Sequence, residues 1–208
     1  MLISPNEIIS ILKENSIKVN GAFHLGAHEC EEMPFYNQIG LSANDVVWVD
    51  AIQSKVDEAI KRGVPNVFNA IITDKDGDDV TFNVSNNIQS SSVLEFGTHS
   101  TEHPWVVYTH KFIGKSTTVN TFFDKHNLEH KYNFWNFDIQ GAELMALKGA
   151  AKYIPFVDAM YLEVNERQLY KGCALIGEID SFLSHYGFRR VKTDITKHGW
   201  GDALYIKR

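Results

Sequence analysis

Strand-like and helix-like segments alternate along most of the chain, and this order constrains the fold more than any other feature of the sequence. The helix segments carry apolar residues three or four positions apart, and two of them stop at a glycine, Gly40 and Gly63. Strands that are joined through helices run parallel in one sheet. The pattern therefore predicts an α/β domain with a mostly parallel sheet and helices on both faces. The predicted strands cover residues 19–24, 46–50, 66–71, 133–139 and 159–164, and the predicted helices cover residues 31–39, 54–62, 121–126, 142–150 and 175–185.

Four segments depart from this alternation. A helix within residues 1–18 opens with the capping-box pattern Ser-Pro-Asn-Glu, and we expect it to pack on the domain. A short strand at 80–84 follows a turn and predicts a hairpin or a sheet edge. Residues 85–118 form the least regular part of the chain, and so long a loop in a compact domain is typically functional. Two final strands, at 188–192 and 203–207, predict a closing antiparallel hairpin.

Length and composition restrict the kinds of protein that fit. With 208 residues and 44% hydrophobic content, the chain can bury one core, so we expect a single domain over residues 1–208. The formal charge of -6 and the lack of a basic stripe disfavour a nucleic-acid partner. No run approaches the roughly 18 apolar residues of a membrane span. Two cysteines cannot form a disulfide framework, which predicts reduced thiols and a cytoplasmic location.

The turns after the first two strands carry residues typical of a nucleotide site. Gly26 and Ala27 let the backbone approach a ligand, and the helix start that follows is expected to present free N–H groups. Asp50 ends the next strand 24 positions after Gly26, where an acid can accept hydrogen bonds from ribose hydroxyls. A helix N-cap is the alternative role of Asp50. The chain lacks the pattern G-x-G-x-x-G, which disfavours pyrophosphate binding and favours another adenosine-containing cofactor.

A third turn places the carboxylate of Asp138 directly after a buried strand. Open α/β sheets keep their chemistry at this edge, so Asp138 is a candidate general base. Hydrogen bonding to the cofactor, or holding the turn, is the competing role. Glu143 lies early in the next helix, where it can pair with Asp138 as in a glycosidase or interact with the helix dipole.

Histidine and acidic residues also cluster around the first turn. His24, His28, Glu29, Glu31 and Glu32 lie within nine residues, and imidazole and carboxylate groups are common metal ligands. The helix dipole explains glutamates in a first helical turn, and a strand histidine is usually satisfied within the sheet. No metal site is therefore predicted here.

The irregular segment holds further candidates for ligand contact. His99 and His103 are four residues apart, but Ser100 replaces the glutamate of the zinc-protease helix motif, and Pro104 follows at once. We expect these histidines to contact the substrate instead of a metal. The hydroxyls of Ser91 and Ser92 can either contact a ligand or cap turns.

Several short motifs, in the same order as the three turns, point to a known family. The sequence Asp-Ile-Gln-Gly-Ala-Glu-Leu at 138–144 is followed by Leu-Lys-Gly-Ala at 147–150. The turn His-Leu-Gly-Ala-His at 24–28 precedes Trp-Val-Asp at 48–50, and Leu-Glu-Val stands at 162–164. From about residue 20 onward the chain resembles the FkbM-type S-adenosylmethionine-dependent methyltransferases. It departs from the family in having Asp-Ala after the second strand, where Glu-Pro or Glu-Ala is common, and in lacking a glycine after the first turn.

The resemblance implies a Rossmann-like methyltransferase fold, with a mostly parallel seven-stranded sheet and a C-terminal antiparallel hairpin. It implies S-adenosylmethionine as the cofactor and O-methylation of a small-molecule or glycan acceptor, at a hydroxyl of a sugar, glycan or glycosylated metabolite. The site residues predicted from the turns and the resemblance are Asp138 and His28 for catalysis; Gly26, Ala27, His28, Glu29, Asp50, Ala51, Ala70 and Asp138 for the cofactor; and Ser91, Ser92, His99, His103, Gln140 and Glu143 for the substrate.

Two other functions are compatible with such a sheet. A nicotinamide-dependent oxidoreductase or epimerase is disfavoured by the missing G-x-G-x-x-G and by the absence of a Tyr-x-x-x-Lys pair. A non-catalytic module can recognise a glycan through the aromatic residues Trp105 and Tyr108. The presence of Gly26, Asp50 and Asp138 together favours a usable cofactor pocket.

Overall fold

The computed structural model describes residues 1–128 and 130–208. Its strands are β1 (Ala22–Leu25), β2 (Val46–Asp50), β3 (Val67–Asn69), β4 (Ile71–Ile72), β5 (Asp79–Ser85), β6 (Tyr108–Thr117), β7 (Phe134–Phe137), β8 (Ala159–Asn165), β9 (Phe188–Ile195) and β10 (Trp200–Lys207). Its α-helices are α1 (Pro5–Glu14), α2 (Met33–Gln38), α3 (Gln53–Lys61), α4 (His99–Glu102), α5 (Val119–Lys125), α6 (Glu143–Lys148) and α7 (Ile176–Ser184).

Seven strands form the main sheet in the order β3-β2-β1-β7-β8-β10-β9. The first five strands in this order are parallel. β10 runs antiparallel between β8 and β9, so the last two strands form the predicted hairpin and are longer than expected. The predicted fold class, a Rossmann-like α/β fold with a mostly parallel seven-stranded sheet, is confirmed.

The two faces of the main sheet are covered by separate parts of the core. Neighbouring residues of a strand face opposite sides, so Phe23 and Trp135 belong to one apolar cluster, while Phe134 belongs to the other. Ile8 and Leu12 of α1 are buried in the second cluster. Burial of each such large side chain contributes about 1.5–3 kcal/mol, which holds the strands and α1 in one layered unit.

The helices of the described residues are short, the longest being α1 with 10 residues. The predicted capping box of α1 is confirmed: the Ser4 hydroxyl accepts the Glu7 N–H at 3.3 Å, and the Glu7 carboxylate accepts the Ser4 N–H at 3.4 Å. Within residues 1–128 and 130–208, no helix combines the length and the apolar character needed to cross a membrane.

A second sheet corrects two of the sequence predictions. The strand expected at 66–71 ends at Asn69, and the chain then enters a three-stranded sheet of order β4-β6-β5. The expectation that residues 85–118 are irregular is wrong for β6, which has 10 residues and pairs antiparallel with β5. Most side chains of β6 are exposed or half-buried, so its sequence shows no strong apolar alternation. Backbone hydrogen bonds to β5 hold this segment as a strand. Residues 86–107 connect β5 to β6 of this second sheet.

Candidate active site

A cavity of about 490 Å³ opens at the edge of the main sheet where the parallel strands end. Open α/β sheets bind their ligands in a crevice at this edge. The turns and strand ends of the main sheet contribute Gly26, Asp50, Asp138 and Glu163 to its lining. The second sheet and the segment 87–106 contribute a further part of the wall, which includes Ile71, Phe82, Ser91, His99 and Trp105.

The turn after β1 is held tightly between the neighbouring strands. Gly26 has a φ of 87°, and the N–H groups of Gly26 and Ala27 donate to the carbonyl of Val49 at 2.9 and 3.1 Å. A Cβ at Gly26 would lie 1.9 Å from the carbonyl oxygen of Asp138, so only glycine fits. The helix start that we expected directly after this turn lies further on, because α2 begins only at Met33, and the N–H groups of Gly26 and Ala27 themselves are used within the protein.

Asp50, at the end of β2, connects the first turn to the second. Its Oδ2 accepts the N–H of His28 at 2.8 Å, and its Oδ1 accepts the N–H of Ile52 at 2.8 Å. Burial raises the pKa of Asp50, while the two backbone hydrogen bonds favour the ionised form. Each carboxylate oxygen has a further acceptor position, so Asp50 can still bind a hydroxyl in the cavity. Ala51 and Ala70, both predicted cofactor contacts, also line the cavity.

Gln140 joins two carboxylates at the ends of β7 and β8. Its Nε2 donates to Asp138 Oδ1 at 2.6 Å and also to Glu163 Oε2, and its Oε1 accepts the hydroxyl of Tyr170 at 2.6 Å. Gln140 has a φ of 57°, a left-handed conformation that is uncommon outside glycine and clusters at functional sites. Asp138, Gln140 and Glu163 all line the cavity, so the turn holds an acid pair and an amide at the same wall.

Glu143 lies behind this wall and not on it. It is 1% exposed, and its Oε1 accepts the N–H groups of Ile139 at 2.9 Å and Gly141 at 3.2 Å. Burial, reinforced by the charge of Asp138, raises the pKa of Glu143 to about 8. The predicted substrate contact of Glu143 is therefore corrected to a role in holding the turn.

The wall opposite the strand ends presents a neutral histidine. His99 is 4% exposed and stacks on Phe96, with ring centroids 4.2 Å apart and ring planes at 8°. Burial, together with nearby His103, lowers the pKa of His99 to about 4. Its Nδ1 has no hydrogen-bond partner among the described residues, which is uncommon for a buried polar atom. His103 and Trp105 also line the cavity, and Trp105 is 68% exposed.

The two predicted serines occupy different places. Ser91 lines the cavity, and its Oγ accepts the N–H of Ser85 at 3.1 Å. Ser92 does not line the cavity, because its hydroxyl donates to the carbonyl of Gln140 at 2.9 Å and accepts the N–H of Leu94 at 3.0 Å. Ser92 therefore ties this segment to the Gln140 turn.

The residues that follow the first turn also divide into two groups. His28 lines the cavity, and its Nδ1 lies 3.0 Å from Glu31 Oε1. Ala27 is buried in the core, and the Glu29 carboxylate lies 3.5 Å from the Lys55 ammonium, so neither predicted cofactor contact reaches the cavity lining. Of the residues that the structure describes, no three His, Cys, Asp or Glu side chains are grouped as metal ligands.

Glu163 is the main cavity residue that was absent from the predicted site. It is the only charged residue of the buried strand β8, and a single acid near the end of an apolar run was the available signal. Trp200 and Asp202 also line the cavity, but they come from β10, whose position beside β8 is decided by sheet order. Glu31 and Glu32, which belong to the cluster of histidine and acidic residues noted in the sequence, also line the cavity, as does Gln89, which had no sequence signal of its own.

Comparison with known families explains this arrangement. A family model described as the methyltransferase FkbM domain matches residues 21–190 of the chain. The chain belongs to the FkbM methyltransferase family. The predicted resemblance is thus confirmed, and this FkbM protein is a methyltransferase with S-adenosylmethionine as its cofactor.

Solved structures show similarity to the FkbM protein at low sequence identity. Magnesium protoporphyrin IX methyltransferase (ChlM) from Synechocystis PCC 6803, solved with bound S-adenosylmethionine, is 10% identical, with a TM-score of 0.48 over 98% of this chain and 78% of that one. A SAM-dependent methyltransferase from Aquifex aeolicus is 13% identical, with a TM-score of 0.40 over 100% of this chain and 91% of that one. An S-adenosylmethionine-dependent methyltransferase from Clostridium acetobutylicum ATCC 824 is 8% identical, with a TM-score of 0.45 over 98% and 90% of the two chains. No curated protein matches the chain in sequence.

Proposed function

We propose that this FkbM methyltransferase transfers a methyl group from S-adenosylmethionine to a hydroxyl of a sugar, glycan or glycosylated metabolite. One observation carries the proposal: a single cavity is lined by the strand-end acids Asp50 and Asp138 and by the neutral His99, whose Nδ1 is unpartnered among the described residues. The acids suit a cationic, ribose-containing donor. The His99 ring suits an uncharged acceptor that carries hydroxyl groups.

The residues around the ends of β1 and β2 fit the donor. Asp50 offers carboxylate oxygens to the ribose hydroxyls, and Gly26 lets the main chain border the cavity. The apolar side chains of Ile52, Ile71 and Phe82 line the cavity and provide a surface for a nucleobase. When bound, S-adenosylmethionine supplies an electrophilic methyl group on a sulfonium, and the cavity acids favour its positive charge. His28, Ala51 and Ala70 complete the proposed donor contacts.

The segment 87–106 fits the acceptor. A sugar ring combines hydroxyl edges with apolar faces, so it matches hydrogen-bonding groups that lie beside exposed aromatic rings. His99 and Ser91 provide polar atoms in the cavity wall, and Trp105 and His103 provide ring surface. The amide of Gln140 adds a polar group on the opposite side, next to the acid pair.

Alignment of the two reactants supplies most of the proposed catalysis. Holding reactants in line lowers a barrier by about 7–11 kcal/mol, whereas a general base contributes a factor of about 10² to 10⁴. Asp138 is the proposed base, because it lines the cavity at a strand end. His28 is the second candidate, and its ring is oriented by Glu31.

We also propose that the reaction takes place in the cytoplasm, with no nucleic-acid partner. Cys30 and Cys173 are both free and buried, as expected of a protein in a reducing compartment. Among the described residues, the cavity is lined by acids and by no Lys or Arg, which disfavours the approach of a phosphate backbone. The acids concerned are Glu31, Glu32, Asp50, Asp138, Glu163 and Asp202.

Thermal stabilisation tests the donor site. S-adenosylhomocysteine at about 100 times its Kd adds about 2.7 kcal/mol to the free energy of unfolding, so it should raise the Tm, and NAD should not. Asp50→Ala should lose most of this effect. Asp78→Ala, which changes an exposed acid outside the cavity lining, should keep it. Stabilisation by NAD alone would support the oxidoreductase alternative.

Transfer of a labelled methyl group tests the acceptor. S-adenosylmethionine carrying an isotopic label is incubated with a library of glycosides, and the labelled products are mapped by mass spectrometry. Label should enter at a glycoside hydroxyl. Label found only at amines or carboxylates of added small molecules would contradict the proposal.

A further inference from the structure

The acid pair of the cavity has a geometry that restricts its charge. One amide nitrogen, Gln140 Nε2, donates to an oxygen of Asp138 and to an oxygen of Glu163, which brings the two carboxylates close together. Two carboxylates that accept from the same amide nitrogen in a poorly solvated site do not both ionise readily at neutral pH, because their like charges repel each other. The pair therefore favours a state that holds one proton.

The groups around Glu163 favour the same state. Glu163 is 2% exposed, and three acidic groups act on it: Asp138 just after β7, Glu143 on α6 and Asp202 on β10, the last directly opposite in the strand register. The hydroxyl of Tyr170 faces the same cluster. Burial, and next the charge of Asp138, raise the pKa of Glu163 well above its ordinary value.

One oxygen of the pair is left without a hydrogen-bond partner by the described residues. Glu163 Oε1 is buried and has no hydrogen-bond partner among the described residues, although Glu163 lines the cavity. The neighbouring polar groups are already engaged, since the Tyr170 hydroxyl donates to Gln140 Oε1 and the Tyr161 hydroxyl donates to Asp202. A buried carboxyl oxygen without a partner is costly unless a ligand supplies one.

We propose that Glu163 is a second catalytic residue, which shares one proton with Asp138 and binds the hydroxyl to be methylated through Oε1. This inference rests on the proposed function, since it assumes a hydroxyl acceptor. It makes Gln140 a positioning residue that holds both carboxylates at the reacting group.

The proton and electron balance of the step follows from the shared proton. The acceptor O–H bond breaks, and its proton passes to the vacant position of the Asp138–Glu163 pair. The electron pair of the oxygen forms the new bond to the methyl carbon, and the electron pair of the broken C–S bond stays on sulfur. The pair then holds two protons and releases one to solvent after the product leaves.

Infrared spectroscopy tests the shared proton without any acceptor. The difference spectrum between wild type and Glu163→Gln at neutral pH should contain the C=O band of a protonated carboxyl group. In Asp138→Asn this band should titrate away at lower pH than in wild type, because a neighbouring negative charge has been removed. Glu166→Gln, which changes an exposed residue of the same segment, should match wild type. A spectrum without the Glu163 band, or a titration that Asp138→Asn leaves unmoved, would overturn the inference.

Kinetics test the catalytic role with the acceptor found by the labelled transfer assay. Glu163→Gln should lower kcat by about 10² to 10⁴-fold and change its pH profile. Its affinity for S-adenosylhomocysteine, measured by calorimetry, should change by less than about twofold, which separates loss of chemistry from loss of fold. A wild-type kcat and pH profile in Glu163→Gln would overturn the inference.

Two further outcomes are decisive. If Glu163→Gln does not fold, Glu163→Asp replaces it. This variant keeps the carboxyl group but withdraws it from the reacting group, so kcat should fall while the infrared band remains. An unchanged kcat would overturn the inference. If the wild type methylates no hydroxyl, the proposed function fails and the role of Oε1 falls with it. The infrared result then still decides whether the pair shares a proton.

Discussion

Replacing Gly26 with alanine should damage both the fold and the donor site, and Gly40 provides a matched control. Both glycines have a left-handed φ, 87° and 90°. A Cβ at Gly40 meets nothing within 4 Å, whereas a Cβ at Gly26 would lie 1.9 Å from the main-chain oxygen of Asp138. Gly40→Ala therefore measures the backbone cost alone, and Gly26→Ala adds a clash to it.

The two costs can be estimated separately. An alanine in the left-handed conformation costs about 1–2 kcal/mol, and this is the loss of unfolding free energy expected for Gly40→Ala. The clash at Gly26 is with main chain that cannot rotate away, so β1 and β7 must shift, which costs about 1–3 kcal/mol more. Gly26→Ala should therefore lose about 2–5 kcal/mol in total.

Urea unfolding of the two variants and the wild type measures these losses, with the m-value showing whether the transitions remain comparable. Calorimetry with S-adenosylhomocysteine, at a temperature where both variants are folded, measures the donor site. Gly26→Ala should bind at least about tenfold more weakly, equivalent to about 1.4 kcal/mol, and Gly40→Ala should bind normally. Equal losses of stability in the two variants would refute the reasoning from the close approach of Asp138.

Three other changes have defined outcomes. Asp50→Ala should weaken binding of S-adenosylhomocysteine by about tenfold or more, because a charged acceptor is lost, and unchanged affinity in calorimetry would remove the ribose assignment. Burial raises the pKa of Glu143 to about 8, from the ordinary 4.5 expected in the unfolded chain, so wild type should lose stability as the pH rises between these values. Glu143→Gln cannot ionise and should flatten this dependence in urea unfolding at a series of pH values; a slope equal to that of wild type would exclude Glu143 as its source. His99→Phe should keep the stacking on Phe96 and the affinity for the donor. It should raise the KM for the acceptor by about two- to tenfold, which is the effect of losing one neutral hydrogen bond. An unchanged KM would place the acceptor elsewhere.

The sequence predicted the parts of the fold that depend on local patterns. Apolar periodicity and turn residues are local features of the sequence. They identified the strands of the main sheet, the turns after these strands that carry the candidate site residues, and the closing hairpin. β6 was missed, because its Lys, Gly and Thr residues have no strong alternation and its order comes from pairing with β5. The start of α2 was placed two residues too early: the chain passes through Cys30 with a left-handed φ of 57° and enters the helix only at Met33.

By itself the sequence determined the family, the layered α/β architecture and the strand-end acids Asp50 and Asp138, since each depends on residues that are close together in the chain. Only the tertiary structure decided which other acid reaches the cavity. Glu143 turns inward, because two N–H groups of its own turn bind it, while Glu163 lines the cavity through its place in β8 beside β7. The physical reason is that burial and hydrogen-bond partners across the sheet, which no local pattern encodes, set the role of each carboxylate.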